Sequence, residues 1–133
     1  MAFGTATVVT NLGKAILADR VRTTPATYTV SPHYCAMGTG ATGAARTAAA
    51  TDTALTTEVE TRATGTESTV TTTNAGDTYQ VTATITATAP RAVDEAGLFD
   101  ASAAGHMFVS ATFAVENLLT GDGIAFTWEV QLT

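Results

Sequence analysis

Strict alternation of apolar and polar residues is the feature that most constrains the fold of this chain. It runs through 78–88 and again through 124–132. A period of two places successive side chains on opposite faces of a strand, so each stretch predicts a half-buried antiparallel strand. The apolar members are Tyr79, Val81, Ala83, Ile85 and Ala87 in the first stretch and Ile124, Phe126, Trp128, Val130 and Leu132 in the second.

Weaker patterns predict further strands between clear turn signals. Residues 106–115 alternate again, 66–73 form a threonine-rich strand, and 93–100 form a shorter one. The segment Asn74–Asp77 predicts a turn, because Asn, Gly and Asp tolerate positive φ. Residues 27–38 predict a strand that Pro32 makes an edge strand or a bent one. The alternating apolar residues of 106–115 are Met107, Val109, Ala111, Phe113 and Val115.

One short helix is expected near the start, within residues 8–22. Leu12, Ala15 and Ile16 recur at i, i+3 and i+4, which is the spacing of one helical face. Thr10 or Asn11 supplies the N-cap. A helix of this length is unstable alone, so its apolar face must pack against a sheet or a partner.

These patterns predict an all-β fold, either an antiparallel β-sandwich or a jelly-roll-like barrel, with one short N-terminal helix. The 133 residues suit a single β domain, and the 30 threonines favour strands because threonine is β-branched. We expect residues 1–10 to form an extended arm. We expect 38–57 to be a flexible loop segment, since it has almost no large apolar residue to bury. The predicted core is Leu12, Ile16, Val81, Ile85, Leu98, Phe99, Val109, Phe113, Phe126, Trp128 and Val130.

Charge and composition exclude several classes of protein. The net charge is -6 and the six basic residues are scattered, so direct binding to nucleic acid is not expected. No apolar run approaches the roughly 20 residues that span a bilayer, which argues against a membrane partner. The first residues lack the pattern of a signal peptide, and the lone Cys35 cannot form an internal disulfide. We therefore expect synthesis in a cytoplasm.

Candidate chemical groups are few, and for each the structural interpretation is favoured. His33, Cys35 and His106 are the soft metal ligands, but a zinc site requires four ligands with tighter pairing. The carboxylates Glu58 and Glu60 share a predicted strand face, and Asp94 adjoins Glu95, but glycosidase chemistry requires two carboxylates at a fixed distance in a cleft lined with aromatic residues. We interpret these carboxylates as a solvated face, Cys35 as a core residue and the histidines as surface residues. No metal or cofactor is expected.

Two other patterns resemble functional motifs without completing them. The loop 38–43 is glycine-rich, but no Lys-Ser or Lys-Thr follows it as a phosphate-binding loop requires. The threonines at 82, 84, 86 and 88 resemble an ice-binding ladder, with Thr69, Thr71 and Thr73 as the expected partner row across the hairpin. A soluble outer face of good strand formers is the favoured interpretation. No nucleophile lies in a recognisable catalytic context, so we expect no enzyme and no catalytic residue.

Five phrases in order resemble small structural proteins of tailed-bacteriophage virions over nearly the whole chain. They are Val9–Asp19, Ala36–Gly43 with Ala50–Glu58, Asn74–Val81, Glu95–Ala101 with Gly105–Val109, and Thr120–Trp128. The resemblance implies a virion component without enzymatic activity. Within that family a capsid decoration (cement) protein, bound to the outside of the head, is the favoured expectation. A tail, neck or fibre-base structural or receptor-binding module is the alternative.

The cement interpretation defines the expected partners and location. The partner is the major capsid protein, the chain forms a homo-oligomer (a dimer or trimer), and the protein is made in the host cytoplasm and carried on the outer surface of the virion. Segments with little to bury alone can become ordered on a partner. We therefore predict partner contacts in the N-terminal arm and in the loop after residue 38, at Phe3, Thr5, Val8, Thr39, Thr42 and Arg46.

Overall fold

The computed structural model describes residues 7–24, 27–41 and 46–133. These ranges contain eight strands and one helix. The elements are β1 (Thr7–Val9), α1 (Asn11–Arg20), β2 (Tyr34–Gly38), β3 (Glu58–Thr64), β4 (Thr66–Val70), β5 (Thr78–Thr86), β6 (Arg91–Phe99), β7 (Met107–Leu118) and β8 (Gly123–Gln131).

The strands form two antiparallel sheets. The five-stranded sheet has the order β1-β7-β6-β2-β3, and the three-stranded sheet has the order β4-β5-β8. Every pairing within the sheets is antiparallel. The predicted all-β fold with one short N-terminal helix is confirmed, and the two separate sheets give it the form of a sandwich.

The core lies between the sheets, where the alternating stretches place it. Strands β5 and β8 pair in register from Thr78 opposite Gln131 to Thr86 opposite Gly123. Their inward side chains pack against those of β2, β6 and β7. The Trp128 indole N–H donates a hydrogen bond to Cys35 Sγ at 3.2 Å, which joins the two sheets through the core. The buried members named in advance are Ile16, Val81, Ile85, Leu98, Phe99, Val109, Phe126, Trp128 and Val130.

Helix α1 is capped and positioned by Thr10. Its hydroxyl accepts from the Gly13 N–H at 2.9 Å, and its own N–H donates to the Phe108 carbonyl at 3.1 Å. Gly13 allows the close approach, since a Cβ there would lie 2.2 Å from that carbonyl oxygen. The helix is shorter than expected, because Val8 and Val9 belong to β1, where they pair with Ser110 and Val109.

Two strand predictions require correction. The strand predicted over 27–38 begins only at Tyr34, and it lies between β6 and β3 rather than at an edge. Pro32 precedes the strand, so its missing N–H removes no ladder hydrogen bond. Strand β6 is nine residues long rather than short, and the whole of 93–100 is buried because both of its faces are covered.

Some predicted core positions lie at the margin of the sandwich. Leu12 and Phe113 are only partly buried. Val115 and Leu132 continue the alternation of β7 and β8 but are exposed. Val115 lies where the register between β6 and β7 shifts, and Leu132 follows the last residue of β8.

The packing of Trp128 predicts a large effect of truncation. Trp128→Ala should lower the free energy of unfolding by about 3–5 kcal/mol, because it removes a buried indole that contacts both sheets. Urea unfolding followed by circular dichroism measures this change. The matched control is Leu132→Ala, which removes an exposed side chain and should change stability by less than about 0.5 kcal/mol. A loss below about 1 kcal/mol for Trp128→Ala would contradict the assigned core.

Candidate partner interface

A loop segment covers the outer face of the five-stranded sheet. We call residues 46–57 the strap. Leu55 is buried against Ala36, Phe99 and Met107, which lie on the sheet face turned away from the three-stranded sheet. The Ala48 N–H donates to the Thr112 hydroxyl of β7 at 3.3 Å. The strap therefore forms a third layer over β2, β6 and β7.

The carboxylate of Glu95 holds this layer in place. Its Oε1 accepts from the backbone N–H groups of Gly40 (3.3 Å) and Thr57 (2.9 Å). Its Oε2 accepts from the Thr56 N–H (3.1 Å) and from Arg46 Nη2 (2.8 Å). Glu95 is fully buried, at 0% exposure. One carboxylate thus binds the chain where it leaves β2 and both ends of the strap.

Arg46 and Asp52 extend this network along the strap. Arg46 Nη1 contacts Asp52 Oδ2 at 3.0 Å, and the same oxygen accepts from the Ser110 hydroxyl at 2.6 Å and the Ala49 N–H at 3.0 Å. Burial alone would raise the pKa of Asp52, but the hydrogen bonds from Ser110 and Ala49 and the Arg46 guanidinium outweigh it and lower the pKa. We call Glu95, Arg46, Asp52 and Ser110 together the clasp.

The glycines before the strap leave room for this carboxylate. Gly38 lies opposite Glu95 in the β2–β6 pairing. A Cβ on Gly38 would lie 2.5 Å from Glu95 Oε1, and one on Gly40 would lie 2.5 Å from the Thr56 Cβ. In the described part of the glycine-rich loop, residues 38–41, the glycines therefore allow the backbone to come close to the buried Glu95 carboxylate.

The predicted contact residues divide into three groups. Phe3, Thr5 and Thr42 lie outside the described residues. Val8 is partly buried in β1, opposite Ser110. Thr39 and Arg46 lie at the clasp: the Thr39 N–H donates to the Thr57 carbonyl at 3.0 Å, and the Arg46 side chain is 27% exposed. A contact of these residues with a partner stays a prediction.

The mobility of 38–57 also stays a prediction, but its reasoning needs revision. We expected a mobile segment because it contains few large apolar residues. The described residues are held instead by polar contacts to Glu95, Asp94, Ser110 and Thr112, which the local sequence does not reveal. The signal that could have found them is a pair of acids, Asp94 and Glu95, inside an apolar strand.

The outward positions of β4, β5 and β8 form a second candidate surface, which we call the threonine face. Thr66, Thr82 and Thr127 stand side by side across the three strands, and Thr84 and Thr86 continue the row along β5. All five are exposed. Glu129 is the one charged residue among these outward strand positions, and its Oε1 accepts from Gln80 Nε2 at 2.8 Å. A shallow depression of about 350 Å³ lies at the centre, lined in part by Thr66, Thr84 and Thr127.

The expected partner row of this face is wrong. Thr69 lies opposite Tyr79, whose side chain points between the sheets, and Thr71 and Thr73 lie in the turn that follows β4. Thr66 stands opposite Thr82 instead. One cross-strand row of three threonines is therefore present, rather than two long parallel ladders.

The three candidate metal ligands, His33, Cys35 and His106, each contact a different group. His33 Nδ1 lies 2.9 Å from the Ser31 carbonyl oxygen, and His106 Nδ1 lies 2.9 Å from Asp100 Oδ2. Cys35 is in the core, where burial raises its pKa to about 12 despite the hydrogen bond from Trp128. Within 7–24, 27–41 and 46–133, no cluster of three or more His, Cys, Asp or Glu residues could hold a metal ion.

The candidate carboxylate pairs are also separated by their contacts. Glu58 forms a two-point ion pair with Arg62, at 2.7 and 3.0 Å. Glu60 has a φ of 64°, which interrupts the alternation of β3, and it binds Arg91 at 2.8 Å instead. Asp94 Oδ1 accepts from the Ala41 N–H at 2.9 Å, while Glu95 belongs to the clasp.

Comparisons of the chain with models of protein families, with curated proteins and with solved structures give no match. In the part of the chain that the structure describes, no helix has the length and apolar content to cross a bilayer.

The clasp predicts that Glu95→Gln loosens the strap. The amide places an N–H₂ group among N–H donors and removes the charge that balances Arg46, so the free energy of unfolding should fall by about 3 kcal/mol. Hydrogen exchange should accelerate at the Thr56 and Thr57 amides before it does in β5 and β8. Glu129→Gln, on the threonine face, is the control and should change stability by less than about 0.5 kcal/mol. Unchanged protection of Thr56 and Thr57 would show that Glu95 does not hold the strap.

The lowered pKa of Asp52 predicts a loss of stability in acid. A carboxyl whose pKa is depressed on folding stabilises the fold above its unfolded pKa, and this contribution disappears as the pH falls through the folded value. Asp52→Asn should therefore cost about 1–2 kcal/mol at pH 7, and the cost should shrink as the pH falls below about 4. Thermal unfolding between pH 7 and pH 2.5 measures it. The apolar variant Trp128→Ala should keep its full cost throughout, and a cost of Asp52→Asn that does not change with pH would contradict the assignment.

Proposed function

We propose that the chain is a non-enzymatic structural protein of a tailed-bacteriophage virion. We further propose that it is a capsid decoration (cement) protein, which binds the outer surface of the major capsid protein shell and stabilises the head. The resemblance of five sequence phrases to small structural proteins of tailed-bacteriophage virions supports the first of these proposals. The phrases Ala36–Gly43, Ala50–Glu58 and Glu95–Ala101 supply Gly40, Thr57 and Glu95, which meet at the clasp. The resembling phrases therefore contain residues that contact one another in the fold. The resemblance is not one of composition alone.

The threonine face is the observation that carries the proposal. It is an exposed sheet surface with one charge, and its β-branched side chains have few rotamers to lose when a partner covers them. Threonine presents both a methyl and a hydroxyl group, so it can be buried against another protein without leaving a charged group unpaired. These properties suit a surface that adheres to many equivalent copies of one protein.

The charge distribution supports a place on the outside of the shell. The chain has a net charge of -6, and four of its six basic residues form ion pairs within the fold: Arg22, Arg46, Arg62 and Arg91. An acidic protein has no affinity for the genome packed inside a head. Binding at the outer surface avoids that repulsion.

The aromatic residues give little support to a receptor-binding role on a tail or fibre. A sugar-binding module exposes aromatic rings for stacking on the ligand. Here Tyr28 packs edge-on against His106 with ring centroids 5.0 Å apart, and Tyr34 lies over His33 at 4.3 Å. The head is therefore the location that we propose.

Capsid binding tests the proposal directly. The purified protein should bind expanded, empty capsids of the phage that encodes it and raise their melting temperature. Thr82→Glu and Thr127→Glu should each weaken this binding at least about tenfold, because each would bury a carboxylate without a partner. Thr120→Glu, in the turn between β7 and β8, is the matched control and should bind like the unmodified protein.

Two outcomes would overturn the proposal. Co-purification with tails alone, at about six or twelve copies per virion rather than on the order of hundreds, would place the protein at the tail or neck. Unchanged capsid binding by both Thr82→Glu and Thr127→Glu, with folding confirmed by circular dichroism, would show that another surface makes the contact.

A further inference from the structure

One end of the sandwich carries an apolar and acidic patch. Leu119 is 69% exposed and Val115 is 40% exposed, and both lie where β7 leaves the sandwich. A shallow groove of about 360 Å³ adjoins them, lined by Pro90, Arg91, Ala92, Asn117, Leu118 and Leu119. The Arg91 guanidinium in this lining is paired with Glu60 at 2.8 Å. Glu116 is exposed between Val115 and Leu119 and forms no ion pair within the described residues. We call Val115, Glu116 and Leu119 the β7 tip.

A second patch has the same apolar character and the opposite charge. Val21, directly after α1, is 86% exposed, and it lies between Arg20 and Arg22. The Arg22 side chain is 59% exposed although it contacts Asp19 at 3.0 Å. Lys14, two turns earlier on α1, is also exposed. Lys14 and Arg20 on α1 and Arg22 just after it are thus the three basic residues that do not hold strands and strap together.

The two patches lie at opposite ends of the molecule. Asp19 of α1 accepts from the Tyr28 N–H at 2.9 Å, and the Tyr28 ring packs on His106, next to the first residue of β7. The β7 tip is at the other end of this 12-residue strand, about 35 Å away at the rise of an antiparallel strand. The two patches of one chain therefore cannot meet, whereas those of two neighbouring copies can.

We infer that copies of this chain associate head to tail, with the Arg20–Arg22 end of α1 in one copy docked on the β7 tip of the next. The contact pairs Val21 with the apolar groove beside Leu119 and brings Arg22 close to Glu116. Such a contact joins two different surfaces, so it forms an antiparallel pair in which both patches of each copy are used, a ring of three or more copies, or a continuing chain. The inference concerns self-association alone and does not depend on the proposed virion role.

A reciprocal charge exchange tests the contact. Sedimentation equilibrium at low salt, at protein concentrations up to about 1 mM, should show association of the full chain. Glu116→Arg and Arg22→Glu should each weaken the association at least about tenfold, and the two substitutions together should restore it to within about threefold. Leu119→Ser and Val21→Ser should weaken it without changing charge. Matched controls are Glu129→Arg and Leu132→Ser, which change an exposed acid and an exposed leucine elsewhere and should have no effect.

Three results would overturn the inference. They are a monomer at every concentration, an association that Glu116→Arg and Leu119→Ser leave unchanged, and an association that the double exchange fails to restore while circular dichroism shows both single variants folded. An association that does not weaken as the salt concentration rises would also contradict it, because the proposed contact pairs Arg22 with Glu116.

Discussion

A buried carboxylate must be surrounded by donors, and the outer layer of this protein is organised around that requirement. An uncompensated charge in the interior costs several kcal/mol, so Glu95 is tolerable only because four donors and the Arg46 charge converge on it. Those donors come from Gly40, from Arg46 and from Thr56 and Thr57, which are far apart in the chain between β2 and β3. The hydrogen bonds that the Glu95 carboxylate requires therefore determine where a long loop lies. Position 38 is glycine because a Cβ there would collide with the same carboxylate.

The part of the fold that could be predicted from the sequence is the part governed by local periodicity. Strands β5 and β8 alternate between apolar and polar residues because one face of each meets the core and the other meets solvent. Strand β6 does not alternate in this way, since the strap covers its outer face and acids occupy positions that usually hold apolar residues. Its length and central position, like the interior position of β2, depend on pairings between distant segments that no local window contains.

The candidate site was less predictable for the same reason. Arg46 was named as a contact residue and Glu95 as one of a carboxylate pair, but nothing near either residue indicates that they meet across 49 positions of sequence. The threonine run of β5 was recognised from its period, whereas its partner row was not, because the register places Thr66 rather than Thr69 beside it. Short-range patterns identify which side chains face outward, and only the tertiary pairing determines which of them become neighbours.

The contact between Trp128 and Cys35 gives this protein an internal optical reporter. The chain has one tryptophan, and its indole nitrogen lies 3.2 Å from a thiol sulfur between the sheets. The strap lies on the far side of the five-stranded sheet from that ring, so emission from Trp128 follows separation of the sheets and is insensitive to detachment of the outer layer. Trp128 fluorescence and amide exchange at Thr56 and Thr57 thus report on two different layers of the protein. Together they show whether the strap or the sandwich unfolds first.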